Sequence, residues 1–142
     1  ALAAAQMPAP PQDPTPLPYL QPFGMGFDIT FEVVWNDTVV ARPPFAAMYW
    51  TPGQQLAHLT VGGAPLRTGD LFASGTVSGP ERDQRGCFLE LSWNGTEPIT
   101  LADGSTRTFL EDGDTVTIRA TAPGPDGGPI SLGEVSGTIY ST

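Results

Sequence analysis

The sequence is poor in the side chains from which many sites are built. It has one cysteine, Cys87, and one histidine, His58, in 142 residues. A single cysteine allows no disulfide within the chain and no cysteine-based metal cluster, so Cys87 reads as a small buried hydrophobe. Lysine is absent: all six basic residues are arginine, and the formal net charge is −9. Such a chain repels phosphate backbones and anionic lipid, which argues against nucleic-acid or membrane-surface partners. An anionic small substrate would need a local arginine or a bound cation. No apolar run reaches the roughly 18 residues of a bilayer span. The opening ALAAAQ has neither a basic nor an apolar signal region, so it does not read as a secretion signal. It also lacks an initiator methionine, and the chain is expected to begin inside a longer protein.

Glycine and proline are what the chain has in plenty, 17 and 16 residues. That predicts many turns, short strands and little helix. Seven prolines fall within residues 1–22, which excludes helix there and favours extended, polyproline-like backbone. Phe27, Ile29, Phe31 and Val33 alternate with Asp28, Thr30 and Glu32, Asn36-Asp37 supplies turn chemistry, and Thr38–Ala41 returns. This predicts a hairpin with one wet face. Thr51 as N-cap and Pro52 at the first helical position predict one helix over Gly53–Leu59, ended by Gly62-Gly63. Asn94-Gly95 and Asp103-Gly104 each predict a hairpin turn. Leu110–Asp114 reads as a turn before a strand over Thr115–Thr121. Gly124–Pro129 reads as a flexible loop, and Ile130–Tyr140 as a final strand. Asp112 and Asp114 lack the ligand series of an EF-hand.

The stretch Gly69–Trp93 organises the rest. A short apolar run, Leu71-Phe72-Ala73, meets a small-residue corner, Ser74–Pro80, followed by a charged loop, Glu81–Gly86. Gly75 and Gly79 let the backbone take positive φ or approach a ligand closely. Thr76 between them both donates and accepts hydrogen bonds. Phe88–Trp93 reads as a strand, with Leu89, Leu91 and Trp93 on a core face and Phe88, Glu90 and Ser92 on the other. From the pattern alone, Glu90 could be a solvated carboxylate, the corner a plain turn, and His58 a structural histidine on a packed helix.

Several motifs add to this. Gln12-Asp13-Pro14 with Pro16–Leu20, Met48–Trp50 leading to His58, GDL-F-ASGT-SGPE from Gly69, LELSW over Leu89–Trp93, and LEDGD over Leu110–Asp114 together resemble the C-terminal part of the fumarylacetoacetate hydrolase family. The resemblance runs from about Gln12 to Ile139. Leu59 stands where the family commonly has a second histidine, and Gly62-Gly63 where it has Asn-Gly. The resemblance implies a mainly β fold with one short helix (α+β), the C-terminal portion of a mixed β-sheet catalytic domain spanning 1–142, with 1–22 as an ordered proline-rich strap. It implies hydrolysis of a carbon–carbon bond in 4-fumarylacetoacetate, the last step of tyrosine breakdown. A histidine activated by a glutamate would direct water at a ketone carbon. The glutamate falls on Glu90, and a substrate-binding threonine on Thr76. The histidine and the ligands for Ca²⁺ or Mg²⁺ would lie upstream, so no metal residue is assigned here. A cytoplasmic homodimer acting on a small diketo acid is the implied context. Two alternatives are open: action on another acylpyruvate-like diketo acid, or a non-catalytic β-rich binding module.

Overall fold

A computed structural model describes residues 2–21 and 24–141. Ala1 and Pro22 of the expected strap lie outside them. Alternation and turn chemistry place the regular structure mostly in antiparallel sheet. Strand β1 (Gln6–Pro8) pairs with β2 (Met25–Phe27). The central sheet holds β3 (Thr30–Trp35), β4 (Thr38–Ala41), β7 (Thr115–Pro123) and β8 (Pro129–Thr138), in the order β4-β3-β7-β8. A small ribbon joins β5 (Ile99–Thr100) to β6 (Thr106–Arg107). The expected fold class, mainly β with one short helix, holds.

The first hairpin forms as its sequence predicts. Asn36 and Asp37 take φ of 44° and 64°, the left-handed pair that matches the twist of a two-residue hairpin loop. A bulge at Val33/Val34 shifts the register. On the wet face Glu32 pairs with Arg42 at 3.0 Å and with Arg119 at 3.6 Å. Beneath the other face Ala5, Ile29, Ala120 and Ala122 form a core, with Leu2, Phe27, Phe31, Phe45 and Ile130 packed against it. Helix α1 (Pro52–Thr60) starts at the expected cap: the Gln54 N–H donates to Thr51 Oγ1 at 3.3 Å, and the Thr51 N–H to Gln54 Oε1 at 3.1 Å. This reciprocal box satisfies two N–H groups that a helix start leaves orphaned. The proline-rich segment packs on this helix: Gln12 Nε2 donates to Gln54 Oε1 at 2.9 Å, and the Tyr19 hydroxyl lies 3.0 Å from His58 Nδ1. Prolines did not keep that segment wholly extended, since Pro18–Leu20 forms a 3-10 turn.

One element departs from the sequence reading. Phe88–Trp93 is not a strand: Phe88–Leu91 is a helical turn, α2, whose Leu91 and Ser92 N–H groups bond Cys87 and Phe88 carbonyls at 2.9 Å. Trp93, Asn94 and Gly95 all have positive φ and end it, so Asn94-Gly95 closes this turn rather than a hairpin. The apolar faces change accordingly. Leu89 is 56% exposed and Trp93 60%, while Leu91 and Ser92 are buried and the Phe88 ring lies 4.6 Å from Trp35. Four apolar residues in six fit either period. The buried Trp35 ring selects the helical one, which puts Phe88, Leu91 and Ser92 on a single face. Asp103-Gly104, in contrast, does close a hairpin, between β5 and β6.

Asp114 anchors the start of β7. It is 3% exposed, accepts from Asn36 Nδ2 at 2.5 Å and from the Glu111 N–H at 2.8 Å, and has Arg107 Nε at 3.8 Å. Burial pushes its pKa up. The Glu111 N–H, the Asn36 amide, the Trp35 indole and the Arg107 charge outweigh burial and hold it below the usual 3.8. Trp35 Nε1 makes no well-formed hydrogen bond, yet it is near enough to contribute to this field. A depressed folded pKa stabilises the fold above the unfolded value, and that stability is lost as pH falls below it. Asp114→Asn is therefore expected to destabilise the fold near neutral pH, with the gap to wild type narrowing below about pH 3.8. Urea unfolding on either side of that pH checks this; an equal gap in both would contradict it.

Candidate active site

The loop between α1 and α2 is shaped by glycine at three places. Gly75 has φ of 80° with open space around it, the backbone freedom that the sequence pattern suggested. Gly79 serves differently. It is a point of close approach, where a Cβ would collide with Gln84, and its N–H donates to the Gln84 carbonyl at 2.9 Å. Gly86 passes directly against the Val77 carbonyl, and an added Cβ would overlap that oxygen. The loop is thereby pinched at its neck. It is tied to the sheet by the Arg42 N–H, which donates to the Asp83 carbonyl at 2.6 Å.

Glu90 projects from α2 into this neck. Its Oε2 accepts from Ser78 Oγ at 2.6 Å and from the Gly86 N–H at 3.2 Å, and the same N–H lies 3.0 Å from Ser78 Oγ. The Ser78 hydroxyl holds the Glu90 pKa below its usual 4.5. Partial burial opposes this, and the Cys87 thiol, the Gly86 N–H and the Arg85 charge reinforce it. Glu90 is thus a carboxylate near neutral pH. No N–H or O–H of the described residues donates to its Oε1. Arg85 packs beside it, donating from Nη1 to the Glu90 carbonyl at 3.0 Å, with its guanidinium 5.0 Å from the centre of the Trp93 ring.

The structure brings Thr76 and Glu90 to the same glycine. The Thr76 Cγ2 is 3.0 Å from where a Gly86 Cβ would sit, while the Gly86 N–H bonds Glu90. Thr76 is exposed, and its hydroxyl makes no hydrogen bond with the described residues. Ser78, Arg85 and Gly86 escaped the sequence reading. Once Glu90 is placed on a helical turn, Gly86 falls four residues before it, where its N–H can reach the carboxylate; the strand reading hid that relation. His58 lies elsewhere, beside an apolar cleft of about 890 Å³ between the proline-rich segment and α1, which neither Thr76 nor Glu90 lines. Cys87 is half-buried rather than buried. Among the described residues no three His, Cys, Asp or Glu side chains are grouped to hold a metal ion, and no helix is long and apolar enough to cross a membrane.

Fold and loop together define a β-rich domain that presents a hydrogen-bonded, ionised glutamate at a glycine-pinched neck. The family profile described as "Fumarylacetoacetate (FAA) hydrolase C-terminal" matches residues 3–139. The chain belongs to the fumarylacetoacetate hydrolase family. It is 48% identical over 138 residues to a fumarylacetoacetase of Arabidopsis thaliana, covering 92% of this chain and 32% of that protein. With the Homo sapiens fumarylacetoacetase it shares 46% identity over 148 residues, covering 98% and 35%. The Dictyostelium discoideum fumarylacetoacetase is 40% identical, over 92% of this chain and 32% of its own length. The chain spans about a third of the length of these curated relatives.

Gly86→Ala is expected to destabilise the loop by about 1–3 kcal/mol, because the new methyl group has no space against a backbone carbonyl. Gly62→Ala, where a Cβ meets nothing within 4 Å, should be neutral or slightly stabilising. Denaturation midpoints of the two variants check the contrast; equal midpoints would show that the neck is not closed.

Proposed function

We propose that this chain is the C-terminal part of an enzyme that hydrolyses the carbon–carbon bond of 4-fumarylacetoacetate, releasing fumarate and acetoacetate at the end of tyrosine and phenylalanine breakdown. The observation that carries this reading is 40–48% identity to proteins named fumarylacetoacetase over nearly the whole chain. The geometry of Glu90 supports its role. An ionised carboxylate held through Oε2 can accept the N–H of an imidazole with its other oxygen, fix its tautomer and stabilise the imidazolium that forms. The histidine would come from outside this chain. It takes a proton from water as the oxygen bonds to the ketone carbon; the carbon–carbon bond then breaks, and its electron pair leaves with the acetoacetate fragment, which is protonated. Glu90 acts here as a positioning residue. Thr76, exposed and with its hydroxyl unengaged, is suited to donate to an anionic oxygen of the substrate.

The family is generally metal-dependent. The described residues do not fit such an ion, since they offer no ligand group, and no step is assigned to one. We infer that the complete enzyme takes Ca²⁺ or Mg²⁺ through residues beyond this chain, and that it is a cytoplasmic homodimer; these rest on the resemblance alone.

Glu90→Gln in the complete enzyme is expected to lower kcat by about 10²–10⁴-fold, the usual size of a general acid–base contribution. KM should stay nearly constant, because the lost stabilisation belongs to the transition state. Thr76→Val should instead raise KM, by roughly tenfold, as one hydrogen bond to an anion is lost. Steady-state kinetics decides both. Wild-type kcat in Glu90→Gln would return Glu90 to the solvated carboxylates.

A further inference from the structure

We propose that Ser78 is a second positioning residue of this site: its hydroxyl holds Glu90 by Oε2 and so presents Oε1 to the histidine. The inference rests on the reading of Glu90 given above. A hydroxyl has one proton and two lone pairs, a carboxylate only accepts, and a backbone N–H only donates. Ser78 Oγ lies 2.6 Å from Glu90 Oε2 and 3.0 Å from the Gly86 nitrogen. The Gly86 N–H must occupy a lone pair of the hydroxyl, so the hydroxyl proton is directed at Glu90. Two donors then converge on one oxygen, Ser78 Oγ and the Gly86 N–H at 3.2 Å. Together they restrain the last torsion of the glutamate, which is otherwise broad.

The fold holds Ser78 where this works. It precedes Glu90 by twelve residues, across the charged loop. The loop closes on itself through Gly79 and Gln84 at 2.9 Å, and no Cβ intervenes between Gly86 and Val77. Ser78 therefore sits at the neck, on the arm facing α2. Removing its oxygen leaves Oε2 with the longer Gly86 bond, beside the Cys87 thiol, and a freer carboxylate.

The test uses the complete enzyme with Ser78→Ala, Ser78→Thr and Glu90→Gln. Ser78→Ala is expected to lower kcat by about tenfold with KM within about twofold. The acidic limb of its kcat profile should move to higher pH by about half a unit to one unit. A carboxylate that has lost a donor is more basic, and it raises the pKa of the imidazolium it faces. Ser78→Thr keeps the hydroxyl and should restore both kcat and the limb. A Ser78→Ala enzyme with wild-type kcat and acidic limb, beside an impaired Glu90→Gln, would overturn the role of Ser78 while sparing that of Glu90. So would a Ser78→Thr enzyme as slow as Ser78→Ala, which would assign the loss to packing. Wild-type turnover in Glu90→Gln would overturn both roles.

Discussion

The contact between Trp35 and Phe88 joins the sheet to the candidate site. Trp35 ends β3 wholly buried, and the Phe88 ring lies 4.6 Å from it at a tilt of 52°. Burying two large rings is worth a few kcal/mol, more than any hydrogen bond in the loop, so this contact sets where α2 lies. Phe88, Leu91 and Ser92 are drawn inward together, and Glu90 is turned toward Ser78 and Gly86. The next residue along, Asn36, bonds Asp114 and the Thr115 N–H at 2.8 Å, which locks the hairpin turn to the start of β7. Adjacent residues of one strand end thus hold the sheet and the site in register.

The loop shows how a charge is kept in a glycine-rich neck. Among the described residues Glu90 has no salt bridge; its stabilisation comes from a hydroxyl, an N–H, a nearby thiol and the field of Arg85. The Ser78 and Gly86 hydrogen bonds both fall on Oε2 and help keep the group ionised. Gly86 makes the arrangement possible, because any side chain there would run into the Val77 backbone; at Gly79 a Cβ would press on the Gln84 and Pro44 side chains. The surface pairs of Glu32, Arg42, Arg119 and Glu134 are exposed and contribute little by comparison.

Much of the framework could be read from local signals. Two-residue alternation with Asn36-Asp37 gave the hairpin, since the residues that favour left-handed φ sat where a two-residue turn needs them. Thr51-Pro52 gave the helix start, because capping involves only neighbours in sequence. The short span Phe88–Trp93 was misread because six residues cannot separate a period of two from one of 3.6. Of the candidate site, Glu90 and Thr76 were singled out through their motifs. Ser78 was not, since a serine between Val77 and Gly79 carries no local mark of the carboxylate twelve residues on.

What the sequence alone determined are properties that arise within a few residues: turns, caps, alternation, the excess of negative charge and the family to which the motifs belong. What only the tertiary structure decided are the choices between local options of similar energy. Phe88–Leu91 became helical because the buried Trp35 ring rewards the face that the helix makes. Glu90 became a held carboxylate because a loop neck, closed where Gly86 passes against the Val77 backbone, brings Ser78 and Gly86 to it. Long-range packing supplies the few kcal/mol that local propensity leaves undecided.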